Sequence, residues 1–445
     1  MDTICAISTA YGKGGIAVIR VSGDEAVSMV DSLFVGRKRL TEAQAGTVLH
    51  GHIQRLAVSG EGVEVLDEVL CSVFKAPHSF TGEDTIEIAC HGSLYIQRTL
   101  LEWLVEAGCR VAKPGEFTQR AFLNGKMDLA QAEAVADLIA ALNKEEKDLA
   151  LSQLQGSVSN ELAHLRERLL HFTSLIELEL DFADHEELEF ADRTELNALA
   201  AEIETKLAAL IASFKTGNAI RNGIPVAIVG APNVGKSTIL NALLGTDRAI
   251  VSDIQGTTRD TIEETVVIDD ILFRLIDTAG LRDTNDTIEQ MGIARSRQAI
   301  EKAQIIVHVS DNGQWTMDNG PVGTVIRVRN KADLLENSEV RSQKSDIMIS
   351  AKYGEIEPLK KEMVRAAREM MDTSAVMISN VRHYEAIQRA HEAIVRVKNG
   401  LQDGLSGELL SLDLQDCLAA LGEVTGQITN EEVLHNIFSK FCIGK

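Results

Sequence analysis

The sequence is short of several things, and each shortage removes a class of protein. Its six cysteines (Cys5, Cys71, Cys90, Cys109, Cys417 and Cys442) contain no CxxC pair, and no Cys/His group has zinc spacing. A disulfide framework is therefore not expected, and a reduced, cytoplasmic setting is. Apolar runs such as Val226–Val229 and Ile305–Val307 are strand-sized. A membrane helix needs about 20 apolar residues, so no membrane span is expected. The start, Met1-Asp2-Thr3-Ile4-Cys5, has no basic stretch before an apolar one, so no secretory signal is expected either. With 6 prolines and 33 glycines the chain is neither collagen-like nor proline-rich. Basic residues are outnumbered: Lys+Arg 44 against Asp+Glu 66 leaves a formal charge of -22. That field is poor for coating nucleic acid non-specifically, although it leaves room for a local docking patch.

What remains is an ordinary globular composition, 45% hydrophobic and 25% charged over 445 residues. Roughly 150 residues per domain suggests about three domains. Three textures follow one another. Up to about residue 120 the chain is mixed. Strands are expected at Ile16–Val21, Glu68–Val73 and Thr85–Ala89, and a helix at Leu94–Val105, with glycine and proline between them. From about 127 to 215 there is no proline, and Ala, Leu and Glu dominate. Leu162, Leu165, Leu169, Phe172, Leu175 and Ile176 form one apolar stripe at helical spacing. Leu196, Leu199, Ile203, Leu207, Leu210 and Ile211 form another. Thr216-Gly217-Asn218 is expected to stop the last of these helices. The acidic stretch from Glu177 to Glu195 reads as a solvated face that repels phosphate. Beyond it strands and helices alternate, with strands at Pro225–Val229, Ile271–Ile276, Ile305–Val309, Val325–Val328 and Asp346–Ile349, which argues for a parallel sheet. From about 376 helical stripes return: Ala386, Ile387, Ala390, Ile394 and Val395, then Leu409, Leu412, Leu414, Leu418 and Leu421. Two amphipathic stretches flanking an alternating one suggest a helical domain with another domain inserted in it.

The sharpest signal is Gly230-Ala231-Pro232-Asn233-Val234-Gly235-Lys236-Ser237-Thr238. It matches G-x-x-x-x-G-K-[ST] between a strand and a helix, where backbone N–H groups converge on phosphate oxygens. Lys236 is placed for the β- and γ-phosphates and the Ser237 hydroxyl for Mg2+. Asp277-Thr278-Ala279-Gly280 follows the strand Ile271–Ile276. Its carboxylate can hold Mg2+ through water, and its glycine N–H can approach a γ-phosphate. Gly256-Thr257-Thr258-Arg259-Asp260 lies between, with Thr258 as a Mg2+ ligand. Loss of the γ-phosphate would release both segments. Asn330-Lys331-Ala332-Asp333 supplies a carboxylate for N1–H and N2–H of guanine, a donor pair that adenine lacks. Ser350-Ala351-Lys352 would line the other side of the base. In this order, each at a strand end, these words point to GTP.

Over its whole length the sequence resembles the MnmE (TrmE) family of tRNA-modification GTPases. The marks are Gly14-Gly15-Ile16-Ala17-Val18-Ile19-Arg20, then Ser79-Phe80-Thr81-Gly82-Glu83-Asp84. A third runs from Pro114-Gly115-Glu116-Phe117 to Asn124-Gly125-Lys126, and the last is Cys442-Ile443-Gly444-Lys445. The resemblance implies an α/β P-loop (Ras-like) GTPase domain inserted in an all-α helical domain, after an N-terminal α/β (α+β) tetrahydrofolate-binding domain. The boundaries would be 1–120 for folate binding and dimerisation, 121–219 with 376–445 for the helical domain, and 220–375 for the GTPase domain. It implies a homodimer that works with the MnmG (GidA) flavoprotein, as a heterotetramer or larger, on the wobble uridine of tRNA. The product would be carboxymethylaminomethyl- or aminomethyl-uridine, with 5-formyl- or another one-carbon tetrahydrofolate as donor.

The resemblance also implies residue roles. Leu281 stands where some GTPases place a water-orienting glutamine, so another route is needed. The family uses K+ and association of two GTPase domains. Asn233 matches its K+-binding asparagine. The segment Ser252-Asp253-Ile254-Gln255-Gly256-Thr257 matches its ion-wrapping loop, with ligands from Ser252, Ile254 and Thr257. Glu289 matches the catalytic acid, with Lys236 and Asn233 beside it in catalysis. Arg20, Glu87, Lys126 and Lys445 would hold the folate, and Cys442 has an open role in the tail. A ribosome-assembly GTPase of the Era or Der type shares the GTPase words. It should carry a basic RNA-binding module, where this chain has an acidic stretch. A scaffolding GTPase tied to membranes by prenylation is disfavoured by the poor last residue of Cys-Ile-Gly-Lys.

Overall fold

The computed structural model describes residues 2–56, 62–181, 192–246, 264–276, 299–313, 323–334, 347–371 and 376–444. Compactness divides the chain into two units, Met1–Ala136 with Thr425–Lys445, and Asp137–Val424. Residues Thr425–Lys445 thus fall in the first unit. There Phe438 and Phe441 pack on Leu129 and Ala132 and the Gly115 N–H donates to the Cys442 carbonyl. Among the described residues no helix is long and apolar enough to cross a membrane.

The first unit is built on a sheet with strand order β3-β4-β5-β6-β2-β1-β7. The strands are β1 (Ile4–Ile7), β2 (Ile16–Ser22), β3 (Phe34–Gly36), β4 (Thr47–Leu56), β5 (Val63–Phe74), β6 (Thr85–His91) and β7 (Arg110–Val111). Neighbours are antiparallel except β1 with β7. Period-two alternation puts Ala17, Ile19 and Val21, Cys71 and Val73, and Ile86 and Ile88 on one face. Helix Leu94–Glu106 covers that face with Leu100, Trp103 and Leu104. The three expected strands are present; β1, β3, β4 and β7 escaped the sequence reading.

One polar cluster is buried beside this core. Arg120 is 4% exposed and donates to the Asp2 carbonyl (2.7 Å), Asp2 Oδ1 (2.6 Å), Glu83 (3.2 Å) and Glu116 Oε1 (3.2 Å). Arg110 adds bonds to Asp2 and Glu116. Hydrogen bonding from Arg110 pulls the Asp2 carboxyl below its usual range. Burial opposes ionisation of Glu116. The bonds from Arg110, the Lys113 N–H and Arg120 outweigh it and hold that carboxyl low too. A carboxyl lowered in the folded state adds stability that is full above its unfolded pKa, 3.8 for Asp2 and 4.5 for Glu116, and is lost as pH falls through the folded value. The N-terminal sheet should therefore weaken from about pH 5 downward. Arg120→Met should cost about 3–5 kcal/mol by stranding the carboxylates, and should flatten the acid dependence. Urea unfolding read by Trp103 fluorescence, in a Trp315→Phe background, checks both.

The second unit holds the long helices. Ser157–Asp181 buries Leu162, Leu165, Leu169 and Ile176, and Arg193–Asn222 buries Leu196, Leu199, Ile203, Leu207 and Leu210. Val381–Gln402 packs along the latter through Ala386, Ile387, Ala390 and Ile394, and Gly407–Thr425 follows it. Asp192 caps Arg193–Asn222 by accepting from the Thr194 and Glu195 N–H groups. The helix does not stop at Thr216-Gly217-Asn218 as expected. It runs to Asn222 and ends on Gly223 at φ 83. Gly217 serves contact instead, since a Cβ there would sit 2.3 Å from the Ile378 carbonyl oxygen.

The same unit carries a sheet of order β13-β12-β11-β8-β10-β9. These strands are β8 (Ile224–Gly230), β9 (Glu264–Ile268), β10 (Ile271–Ile276), β11 (Ile305–Ser310), β12 (Thr324–Arg329) and β13 (Ile347–Met348). All pairs are parallel except β9–β10, a hairpin turning through Asp269 and Asp270 at φ 47 and 65. The central strand β8 is buried at every position from Ile224 to Val229, as a parallel strand covered on both faces must be. The described residues thus comprise an N-terminal α/β body, a second sheet of mostly parallel strands with helices about it, and a set of long helices.

Candidate functional site

The carboxyl ends of β8, β11, β12 and β13 converge, and the phosphate-loop and base-reading words sit there. In open α/β sheets ligands bind at that edge. The loop after β8 depends on residues that tolerate positive φ: Gly230 at 152, Asn233 at 63 and Gly235 at 97. A Cβ on Gly230 would meet the Val309 carbonyl at 2.2 Å, and one on Gly235 would meet Asn330 Nδ2 at 2.2 Å. Helix Lys236–Thr246 opens directly after the loop, so its N-terminal N–H groups face the loop's interior.

Asn330 holds this edge together. It is 3% exposed. Its Nδ2 donates to the Val234 carbonyl (2.9 Å), and its Oδ1 accepts from the Ala351 N–H (3.1 Å). One amide thus ties the phosphate loop to the Ser350-Ala351-Lys352 turn. Asp333 is exposed, and its Oδ1 accepts from the buried Ser350 hydroxyl at 2.6 Å, which fixes the carboxylate's plane. Lys331, at φ 62, pairs with Asp311 at 3.1 Å beyond the end of β11. Sequence reasoning missed Asp311; its position immediately after a parallel strand was the available signal. Lys352 lies over the Tyr353 ring at 5.6 Å.

Lys236 folds back on its own loop. Its Nζ donates to the Gly230 carbonyl (2.9 Å) and the Ala231 carbonyl (2.8 Å). Burial depresses its pKa. A partly desolvated ammonium held by two carbonyls, beside a helix N-terminus, is suited to a polyphosphate. Ser237 is half-buried; Asn233 and Thr238 are exposed. The expected site residues Ser252, Asp253, Ile254, Gln255, Gly256, Thr257, Thr258, Asp277, Thr278, Ala279, Gly280 and Glu289 lie outside the described residues.

The first unit has a second polar centre. β2 and β6 pair Arg20 directly with Glu87, and Arg20 Nε and Nη2 both donate to Glu87 Oε1, at 2.9 and 2.8 Å. The guanidinium lies 5.1 Å from the Phe80 ring centroid and 5.6 Å from that of Phe117. Its Nη1 is buried with no hydrogen-bond partner among the described residues. Such an orphan donor, framed by two aromatic rings, fits a flat ligand with an acceptor edge. Phe80 and Phe117 thus line this site, within the segments Ser79–Asp84 and Pro114–Lys126, and sequence reasoning missed both. Lys126 is exposed and donates to the Pro77 carbonyl at 2.8 Å, with its stem beside Gly82. Cys442 is exposed, and Gly444 lies against Ile7 and Ser8, its carbonyl accepting from the Ser8 hydroxyl. The helix Glu431–Phe438 ends before Cys442. Lys445 lies outside the described residues.

Two family models match, one described as the MnmE helical domain over residues 129–442, the other as the GTP-binding protein TrmE N-terminus over residues 3–126. Three relatives are each named tRNA modification GTPase MnmE. The protein of Parabacteroides distasonis is 51% identical over 100% of both chains. That of Bacteroides thetaiotaomicron is 48% identical over 100% of this chain and 99% of its own. That of Porphyromonas gingivalis is 49% identical over 100% and 98%. The chain belongs to the MnmE (TrmE) family of tRNA modification GTPases.

Proposed function

We propose that this chain is the GTP-hydrolysing component of the apparatus that modifies carbon 5 of the tRNA wobble uridine. We further propose that its turnover depends on K+ and on association of two GTPase domains. GTP hydrolysis in tRNA modification is the activity of the family to which the chain belongs. The observation that best supports the nucleotide reading is the Asn330 tie, which places the phosphate loop and the base-reading turn on one strand edge.

Each residue has a physical task in this reading. Asp333, oriented by Ser350, accepts from N1–H and N2–H of guanine, while the Ala351 turn and Lys352 flank the base. Asn330 and Lys331 brace that end of the pocket. Val234, Gly235, Lys236, Ser237 and Thr238 present N–H groups and a cation to the phosphates. Ser237 and Thr258 would hold Mg2+, with Asp277 behind it, and Thr278-Ala279-Gly280 would meet the γ-phosphate. Asn233, Ser252, Ile254 and Thr257 would hold K+, within the loop that includes Asp253, Gln255 and Gly256. Mg2+ and K+ would offset charge developing between the β- and γ-phosphates. Glu289 would orient the attacking water, a role that Leu281 cannot fill.

The orphan Arg20 donor between Phe80 and Phe117 supports a folate site in which Arg20, Glu87, Lys126 and Lys445 take part. We assign residues 1–120 to folate binding and dimerisation, 121–219 with 376–445 to the helical domain, and 220–375 to the GTPase domain. The match to the helical domain spans 129–442, across the intervening GTPase domain, in keeping with that insertion. The flavoprotein MnmG and tRNA are the proposed partners.

The decisive experiment compares GTP hydrolysis in K+ and Na+ at equal ionic strength, with oligomeric state followed under aluminium fluoride. The expected result is at least a tenfold higher rate in K+ with association of GTPase domains, lost in Asn233→Ala, and near-abolition of turnover by Glu289→Ala. Equal rates in both salts would sink the ion-dependent mechanism.

A further inference from the structure

The β2–β6 ladder carries a second polar pair on the same face as Arg20 and Glu87. Ser22 stands opposite Thr85, two residues along from Arg20 opposite Glu87, and both hydroxyl residues are buried. Thr81 reaches them from the Ser79–Asp84 segment. Its Oγ1 lies 2.7 Å from Ser22 Oγ and 3.3 Å from Thr85 Oγ1. The proton directions follow from the carboxylate beside them. Ser22 Oγ donates to Glu83 Oε2 at 2.8 Å, since a carboxylate only accepts. Thr81 therefore donates to Ser22, and its own oxygen accepts from the Glu83 N–H at 3.2 Å. The Thr81 carbonyl accepts from Asn124 Nδ2 at 2.8 Å, just past the helix Glu116–Leu123. One residue is thus bonded to β2 and to the end of that helix, and lies beside the start of β6.

We propose that Thr81 is a positioning residue of the folate site: its hydroxyl fixes the Ser79–Asp84 segment so that Phe80 lies on the Arg20 guanidinium and Arg20 Nη1 is left for the ligand. This assignment rests on the folate reading given above. The residues on either side of Thr81 carry the argument. Phe80, whose ring centroid is 5.1 Å from that guanidinium, also packs against the cluster of Ile4, Ala6, Ala112 and Phe117. Gly82, at φ 81, lies against the Lys126 stem, and a Cβ there would stand 3.3 Å from Lys126 Cγ. Thr81 therefore anchors the point between the residues that touch Arg20 and Lys126. Arg20 spends Nε and Nη2 on Glu87, so the Phe80 ring decides from which side a flat ligand reaches Nη1. A ring already held in place has less freedom to lose on binding, and a loosened one costs affinity. Thr81 is 0% exposed, so it acts through Phe80 rather than by touching the ligand.

The test is a double-mutant cycle on the full-length chain. Affinity for 5-formyl-tetrahydrofolate is read by equilibrium dialysis, at a temperature where thermal melts show each variant folded. Phe80→Leu and Thr81→Val should each weaken binding about tenfold, and the double variant also about tenfold, because the second change has nothing left to act through. Thr81→Ser keeps the hydroxyl and should bind within about threefold of the unaltered chain. If Thr81→Val does not fold, Ser22→Ala, which removes the acceptor on β2, takes its place in the cycle with the same expectation. A loss of about a hundredfold in the double variant would overturn the assignment, as additive effects mean independent roles. So would unchanged affinity in Thr81→Val, or a Thr81→Ser as weak as Thr81→Val. No binding by the unaltered chain would overturn the folate reading itself, and the assignment with it.

Discussion

Asp333→Asn is expected to cut GTP affinity about 10²–10⁴-fold and to make xanthosine triphosphate the better substrate. The carboxylate would lose two charge-assisted hydrogen bonds to guanine, each worth about 1.5–3 kcal/mol. Ser350 Oγ donates to Asp333 Oδ1 at 2.6 Å, so an asparagine would keep its oxygen on Ser350 and turn its Nδ2 toward the base. Xanthine offers a carbonyl where guanine has its amino group, and an amide N–H satisfies it. Turnover measured with both nucleotides at matched concentrations decides this. A variant that still prefers GTP would remove Asp333 from base recognition. Ser350→Ala should loosen the carboxylate's plane and cost GTP about tenfold, without admitting the xanthine nucleotide.

The site was legible wherever phosphate or guanine chemistry dictates the residue types. Gly230, Gly235 and Lys236 could be read because the loop must turn where a side chain would strike Val309 or Asn330. The role of Asn330 was only half legible. Its word suggested a base reader, whereas its amide joins Val234 to Ala351, two positions far apart in sequence. The Arg20–Glu87 pair became visible only through the register of β2 on β6, which no local pattern encodes. Strand β4 went unread because Val48, His50, His52 and Leu56 are exposed while Gly51 and Ile53 are buried. Its hydrophobic alternation is therefore scrambled. Gly217 misled in the opposite way. A glycine in a helical run reads as a stop, but here it admits the backbone at Ile378 and the helix continues. Contacts between distant segments decided each of these positions.

Lys236→Ala should lower the hydrolytic rate about 10³-fold, since it removes the loop's own cation, which in the proposed mechanism turns from the loop carbonyls to the bridging and γ-oxygens. The fold should survive, because the Nζ partners are the Gly230 and Ala231 carbonyls, and the exposed Ala231 can turn to water. The same lysine carries a pH signature. Burial depresses its pKa in the free loop, while a bound polyphosphate favours the ammonium. GTP binding then takes up a proton once the solution is alkaline enough to discharge the free lysine. Affinity falls as pH rises through the free-state pKa. Lys236→Arg keeps its charge throughout and should bind with no such slope. Calorimetric titrations at alkaline pH, in buffers of different ionisation enthalpy, count the protons directly. Proton uptake that persists in Lys236→Arg would assign it to another group, and Lys236 would then be charged in the free loop despite its burial.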